Sequence, residues 1–344
     1  MISIIKIIAI IQLCLIIFFI VLIPLAKWYK NHLVRKNTKI INTIRNVFLA
    51  YMEGKRLDSN EIHFLKRSIE QVLFVLEELD KNNPNSDELN NLKKRLSELI
   101  LKETARKLFL SKNWIKRYEA TQCFAFGFDT EDEEKVYFLL KDPFLIVSLN
   151  ASLIAIKYPS SFLINEIISI FSKGRRIQQN SFVSILSEQG NDISPFILNR
   201  IEKEENIYVK IFCYRILSKF PQAKTAACVE TDVSSDNIDL KVTVIKYLAA
   251  HPNKHELIYR LFTDPQWEVR AAVAKALGLI KNIDDIKILI KLSSDSEWWV
   301  RINAANALWE YGCEGINVLK NQSEGEDLFA SETARYVLLT KEKN

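Results

Sequence analysis

DPQWEVRAAVAKALG, residues 264–278, is followed by DSEWWVRINAANALW, residues 295–309, and the two segments align without a gap. Asp, Trp, Val, Arg, Ala and Leu recur in register, and Arg270 and Arg301 stand 31 residues apart. An internal repeat of this kind is typical of stacked two-helix units, none of which can bury its apolar face alone. The stretch from Asp264 to Leu308 therefore predicts an all-α fold built as a solenoid.

The same register can be followed back along the chain from Arg270 and Arg301, taken as position 0. The equivalent residues are Arg117, Ser148, Gln179, Lys210 and Lys241. Position −3 holds Trp114, Leu145, Arg176, Ile207, Ile238, Trp267 and Trp298. Position +3 holds Ala120, Ala151, Phe182, Cys213, Val244, Val273 and Ala304. Position +7 holds Phe124, Ala155, Leu186, Leu217, Leu248, Leu277 and Leu308. We expect these three rows to form the buried face of one helix per unit, with the tryptophans of position −3 in the core. A degenerate eighth copy is centred on Ser331.

The pattern D-x-x-x-x-V-R-x-x-x-A-x-A-L, present in Asp264–Leu277 and Asp295–Leu308, resembles HEAT repeats. More narrowly, it resembles the short HEAT-like repeats first named for phycobilisome lyases. The resemblance implies an α-solenoid of about seven to eight helical hairpins over residues 111–344, in which the second helices line a concave binding face. It also implies a protein partner, because HEAT solenoids mostly bind other proteins, and it implies no particular activity.

Composition agrees with a helical, intracellular protein. The 344 residues include only 8 Gly and 8 Pro, which favours helices over a turn-rich β fold. Five widely spaced cysteines without a C-x-x-C pair predict free thiols in a reducing compartment. The net charge of +5 does not by itself commit the chain to nucleic acid.

Residues 7–26 form an uncharged, strongly apolar run, long enough as a helix to cross the roughly 30 Å hydrocarbon core of a bilayer. We expect residues 1–27 to be an uncleaved transmembrane helix, with a cleaved signal peptide as the alternative. Five basic residues and no acid follow between positions 27 and 39. The positive-inside rule then predicts a single-pass protein of the bacterial inner membrane whose C-terminal part lies in the cytoplasm.

Residues 28–110 are expected to form a helical connector. Asp58 and Glu61 have capping-box spacing, and apolar residues follow at steps of three and four on both sides of a turn at 81–86. The stepped residues are Ile62, Leu65, Ile69, Val72, Leu76, Leu79, Leu89, Leu92, Leu96 and Leu99. This seam predicts an antiparallel hairpin, and homodimerisation through residues 61–100 stays open as the alternative.

Two groups of residues are candidates for partner binding. Trp299 and Trp309 depart from the residue types of their register, and with Tyr311 they could form an exposed aromatic patch. Packing against the terminal repeat is the alternative for these three. Lys210 and Lys241, with the arginines of position 0, could form a basic ladder for phosphate or an acidic partner. The alternative is ion pairing with a turn Asp of the same or the next unit.

The chain contains no P-loop, G-x-G-x-x-G, G-x-S-x-G or H-E-x-x-H motif, so we predict no catalytic, cofactor-binding or metal-binding residue and no enzymatic activity. The expected function is that of a membrane-anchored cytoplasmic scaffold or adaptor. The order of elements resembles bacterial accessory proteins encoded beside membrane glycosyltransferases, which implies a partner in polysaccharide assembly. Two alternatives come from other HEAT-like proteins: a nucleic-acid-binding solenoid and a bilin-lyase-like enzyme.

Overall fold

The computed structural model describes residues 2–82, 86–186, 192–251 and 254–341, without side chains at 2–17, 19 and 21. All regular secondary structure in these ranges is helical, in agreement with the predicted fold class. The α-helices are α1 (Ile2–Met52), α2 (Ser59–Arg67), α3 (Ile69–Asn82), α4 (Asp87–Leu96), α5 (Lys102–Leu108), α6 (Trp114–Phe126), α7 (Glu133–Leu140), α8 (Leu145–Lys157), α9 (Ser161–Phe171), α10 (Arg176–Leu186), α11 (Ser194–Ile201), α12 (Ile207–Leu217), α13 (Val229–Val233), α14 (Ile238–Leu248), α15 (His255–Tyr259), α16 (Trp267–Ile280), α17 (Ile286–Ser293), α18 (Trp298–Glu310), α19 (Cys313–Ser323) and α20 (Leu328–Lys341).

Two compact units make up the chain, Met1–Leu139 and Leu140–Asn344. The sequence places its boundaries elsewhere, after residues 27 and 110, and those domain limits stay predictions. The difference arises at α6, the first helix in the repeat register, which packs against α5 within the first unit.

The first unit begins with α1, a single helix of 51 residues that contains Pro24. Within the described residues, no helix combines the length and the apolar character needed to span a bilayer. Most side chains of the predicted span, 7–26, lie outside the described residues. Residues 27–39 are exposed along α1, whereas Ile44 and Phe48 are fully buried where the helix packs on α3 and α4.

The connector helices bury their seam within the first unit. The predicted capping box is present: Asp58 Oδ1 accepts from Glu61 N at 2.7 Å, and Glu61 Oε2 accepts from Asp58 N at 2.9 Å. The helix it starts ends at Arg67, and α3 begins after Ser68, so the predicted seam bends there. Since α1 and α4 both pack on α3, most of the seam is buried inside one chain. Homodimerisation through residues 61–100 stays a prediction. It would have to use exposed residues of this segment, because the seam is already covered.

The second unit consists of helical hairpins that follow one another along the chain. Each second helix packs against the second helix of the next hairpin, so that α8, α10, α12, α14, α16, α18 and α20 form one row. Every residue at positions +3 and +7 of these helices up to α18 is buried, which confirms those two rows of the register. Ala334, at position +3 of the degenerate last copy, is buried as well. This stacking is the solenoid arrangement that the repeat predicts.

The prediction for position −3 is wrong. Every −3 residue is the first residue of its helix, and Trp114 and Trp298 are exposed rather than in the core. The reason is geometric: six residues at about 100° each place position −3 roughly 120° away from position +3 around the helix. The residue that completes the buried face is position −1, as at Val209, Val269 and Val300.

Candidate partner-docking surface

The starts of the second helices present their first residues to solvent. Before α16 and α18 a carboxylate accepts the backbone N–H two residues later, at 2.9 Å for Asp264 with Gln266 and 2.9 Å for Asp295 with Glu297. Asp327 does the same for Phe329 at 3.0 Å. These contacts fix the turn that leads into each of the three helices.

At α18 and α20 the exposed first residues are large and apolar. The terminal apolar patch consists of Trp298, Trp299, Leu328 and Phe329, which are 46%, 56%, 74% and 52% exposed. The two indole rings meet edge to face with centroids 4.7 Å apart. The Arg301 guanidinium lies 4.6 Å from the ring centroid of Phe329, so the starts of α18 and α20 lie side by side. Clustered aromatic side chains that stay in water are typical of protein–protein contact sites.

The three aromatic residues singled out from the sequence are not brought together. Trp299 and Trp309 lie near opposite ends of α18, about 15 Å apart along the axis. Trp309 is half-buried, and the Tyr311 hydroxyl donates to the carbonyl oxygen of Leu277 at 2.9 Å. Burial is the main cause that raises the pKa of Tyr311, and the negative charge of Asp285 raises this pKa as well. Tyr311 thus ties the end of α18 to α16 of the preceding hairpin. A role of Trp299, Trp309 or Tyr311 in partner binding stays a prediction.

Sequence reasoning missed three members of the terminal apolar patch. Position −3 of the register predicts a buried Trp298, and Leu328 and Phe329 belong to the degenerate last copy. The register itself carried the signal, because Leu328 and Phe329 occupy the positions of Trp298 and Trp299.

Lys210 and Lys241 are held by aspartates of the following hairpin. Each side chain reaches from a second helix to the segment that precedes the next second helix, and Arg270 does the same. We call these three contacts the ion-pair ladder: Lys210 Nζ–Asp232 Oδ1 at 2.6 Å, Lys241 Nζ–Asp264 Oδ2 at 2.9 Å and Arg270 Nε–Asp295 Oδ2 at 2.6 Å. All six side chains are largely buried. The ladder joins neighbouring hairpins, and a role of Lys210 or Lys241 in partner binding stays a prediction.

The arginines of position 0 also close the turn of their own hairpin. Arg270 Nη1 donates to the carbonyl oxygens of Asp264 and Pro265, at 2.8 and 3.2 Å. Arg301 repeats this with Asp295 and Ser296, both at 2.8 Å. The recurrence of Arg in the register is therefore explained by turn and ladder contacts.

The ladder shifts the protonation equilibria of its members. Burial raises the pKa of Asp295. Hydrogen bonds from Arg270 and from the Glu297 N–H lower it, and together they outweigh burial, so the net pKa lies below the usual value. The hydrogen bond to Asp295 raises the pKa of Arg270. Both groups are charged at neutral pH and stabilise each other.

A groove of about 390 Å³ lies between the second halves of α16 and α18. Its lining includes Lys275, the amides Asn303 and Asn306, and exposed Leu279, together with Lys281 and its ion-pair partner Glu310. The helices approach closely beneath it, because a Cβ built on Gly278 would lie 2.8 Å from the Cβ of Ala307. The groove offers amide and ammonium donors beside apolar surface, which suits a polypeptide segment better than a small apolar ligand.

The described cysteines and carboxylates form no recognisable reactive cluster. The described residues contain no group of three or more His, Cys, Asp or Glu that could hold a metal ion. Burial raises the pKa of the Cys123 and Cys213 thiols to about 12, so both stay protonated at neutral pH. The arrangement offers contacts for binding.

One family of repeat proteins matches part of the second unit. A family model described as HEAT repeats matches residues 255–327, from the start of α15 to the turn before α20. Two crystal structures of engineered proteins are similar at 18% and 16% identity, covering 59% of this chain and 94% of the other, and 81% and 82%, with TM-scores of 0.32 and 0.33. The crystal structure of a Kap121p mutant is 10% identical over 87% of this chain and 43% of its own, with a TM-score of 0.34. Curated protein sequences gave no match. The HEAT resemblance is confirmed for residues 255–327.

Proposed function

We propose that this protein is a non-enzymatic scaffold, tethered to the inner membrane, whose HEAT-like hairpins bind a protein partner. The terminal apolar patch is its main contact. One observation carries this: on α18 and α20 the rows at +3 and +7 are buried up to Leu308, yet Trp298, Trp299, Leu328 and Phe329 face solvent. Water contact with so much aromatic surface is unfavourable unless a partner covers it.

The residues beside the patch support a protein partner. The Arg301 guanidinium stacks on Phe329, and aromatic and Arg side chains are the types enriched in binding hot spots. Acidic side chains replace the apolar residue at the second position of α14 and α16, namely Asp239 and Glu268. On α16, the helix beside α18, Glu268 thus places a charge next to the patch, as the rim of an interface usually has.

A paired-variant capture experiment tests this proposal. The full chain is cross-linked in membranes of its own cells, then solubilised in mild detergent, and its captured proteins are identified. Trp299→Ala with Phe329→Ala should remove most of the partner captured by the wild type, because both side chains are predicted hot spots. Ile177→Ala with Tyr208→Ala is the matched control, since it removes two large side chains at the starts of α10 and α12 that are even more exposed than Trp299 and Phe329. Equal capture by both double variants would contradict the proposal.

The membrane tether rests on the sequence of the first helix. Residues 7–26 carry no charge, and the basic stretch at 27–39 that follows is exposed along α1, with Trp28 and Tyr29 at its start. Aromatic and basic residues at that place are typical of a membrane–water interface on the cytoplasmic side. Alkaline carbonate extraction should leave the full chain in the membrane pellet and release a chain lacking residues 1–26. Release of both the full chain and the shortened chain from the membrane would refute the tether.

The partner class is a separate proposal. The resemblance to accessory proteins of membrane glycosyltransferases suggests an enzyme of polysaccharide assembly in the same membrane. The capture experiment decides it, because a glycosyltransferase should be among the proteins that depend on Trp299 and Phe329. A partner of another class would remove this assignment and leave the scaffold role intact.

A further inference from the structure

A second row of cations lies five residues after the ion-pair ladder. Arg215, Lys246 and Lys275 follow Lys210, Lys241 and Arg270 by five positions each on α12, α14 and α16, which pack side by side. Arg176, at the start of α10, lies close enough that its charge lowers the pKa of both Arg215 and Lys246. We call these four residues the basic row.

The basic row lacks the carboxylates that the ladder has. In the parts of the chain that the structure describes, none of the four cations forms an ion pair. Arg215 donates instead to two neutral side chains on α10, to Gln179 Oε1 at 2.6 Å and to Asn180 Oδ1. Arg176, Lys246 and Lys275 are exposed. The fold thus places a carboxylate opposite every cation of the ladder, whereas Arg176, Lys246 and Lys275 of the basic row face solvent.

The cations of the row repel one another. Desolvation lowers the pKa of Lys246, and the charges of Lys275, Arg176 and Arg215 lower it further, outweighing Asp239. Desolvation also lowers the pKa of Arg215. Like charges held together are unfavourable for folding, and an anionic partner laid across them would relieve this cost.

We propose that the basic row, together with the groove between α16 and α18, binds an extended acidic segment of a protein partner. Neighbouring helix axes lie about 10 Å apart, and an extended chain rises about 3.3 Å per residue. Carboxylates about three residues apart therefore meet Arg215, Lys246 and Lys275 in turn. Lys275 also lines the groove, so the row leads directly to the exposed side chain of Leu279 and the amides of Asn303 and Asn306. An apolar residue of the segment enters there.

This inference rests on the proposed scaffold role and specifies the chemistry of its partner. Duplex nucleic acid is the competing occupant of a basic surface. The net charge of +5 and a single row of four cations suit one extended strand of carboxylates better than two phosphate backbones.

The test uses the purified full chain in detergent and a fluorescent 16-residue peptide with Asp at every third position and one Leu near its end. Fluorescence anisotropy should show binding that weakens with added salt, and none for the same peptide with Asn in place of Asp. Lys246→Glu with Lys275→Glu should weaken binding about tenfold or more. Lys287→Glu with Lys320→Glu changes the net charge equally at exposed sites on α17 and α19 and should leave affinity unchanged.

Three outcomes would overturn the inference: no binding of the Asp peptide, equal losses in the two double variants, or tighter binding of a 16-base-pair DNA duplex than of the peptide. The scaffold role is judged separately. If the peptide fails while capture of the partner still depends on Trp299 and Phe329, the basic row is not the contact and the scaffold stands. If capture fails and the peptide still binds, the terminal apolar patch is refuted instead.

Discussion

Arg270 on α16 holds Asp295, in the turn before α18, with two hydrogen bonds, from Nε at 2.6 Å and from Nη2 at 2.8 Å. The residues lie 25 positions apart in the chain, so the contact joins two hairpins rather than stabilising one. Their side chains are only 15% and 10% exposed. Repeat proteins depend on such nearest-neighbour contacts, which makes this pair a place where stacking can be tested.

Removing Arg270 should destabilise the second unit. Arg270→Ala leaves a buried carboxylate without its partner, and we expect a loss of about 2–3 kcal/mol in the free energy of unfolding, since the pair is nearly buried. Urea unfolding followed by circular dichroism measures it. The control is Lys281→Ala, which removes the Lys281–Glu310 pair, half-exposed on both sides, and should cost no more than about 0.5 kcal/mol. Equal losses would contradict the ladder as a source of stability.

The same pair predicts a pH dependence. The pKa of Asp295 in the folded protein is below its value in the unfolded chain. Its contribution is therefore complete above the unfolded carboxyl pKa of about 3.9 and is lost as the pH falls through the folded value. Asp295→Asn should be less stable than the wild type at pH 7, and the difference should shrink below about pH 4. A difference that stays constant with pH would count against the ion pair.

Asp285 should behave in the opposite way. It is almost fully buried, and in the described structure its Oδ2 has no hydrogen-bond partner. Burial raises its pKa, which the hydrogen bond with Tyr259 only partly offsets. Folding therefore favours the protonated form, and stability falls as the pH rises from the unfolded carboxyl pKa through the folded value. Asp285→Asn should raise the melting temperature at pH 7 and leave it unchanged near pH 3, as differential scanning fluorimetry can show.

Gly278 should not tolerate a side chain. A Cβ at this position would lie 2.8 Å from Ala307 Cβ and 3.0 Å from its Cα, where α16 packs against α18. Gly278→Ala must push α16 and α18 apart, and we expect a loss of about 1–3 kcal/mol despite the better helix propensity of Ala. Leu279→Ala, next along α16 and exposed, should change stability by less than about 0.5 kcal/mol. A stable Gly278→Ala variant would mean that the helices adjust freely.

Hydrophobic spacing predicted the helical hairpins and most of their core. Apolar residues at positions +3 and +7 indicate the inner face of a helix, and Val273 and Leu277 are indeed buried, as are Phe182 and Leu186 of the weaker copies. Spacing along the chain does not show where a helix starts, however. In the structure, position −3 is the first residue of each helix. The sequence does not show this, so it predicts a buried Trp298, which is in fact exposed.

Contacts between hairpins were harder to predict. The partner of Arg270 could be inferred, since Asp295 stands in a recognisable turn, whereas Asp232, the partner of Lys210, lies in the short helix α13 without a repeat signature. Asn180 and Gln179, which hold Arg215, are also separated from it by a whole hairpin. The sequence lists these residues but gives no distance between them, and only the stacking of the helices brings them together.

The most direct test of the central proposal is photo-crosslinking from position 299. A photoreactive phenylalanine replaces Trp299 in the full chain. A matched chain carries it in place of Lys287, an exposed residue on α17, the helix that precedes α18 in the same hairpin. In membranes of the native cells, we expect light to produce one discrete crosslinked protein from position 299 and none from position 287. Crosslinking from neither position, or the same products from both, would contradict a partner docked on the terminal apolar patch.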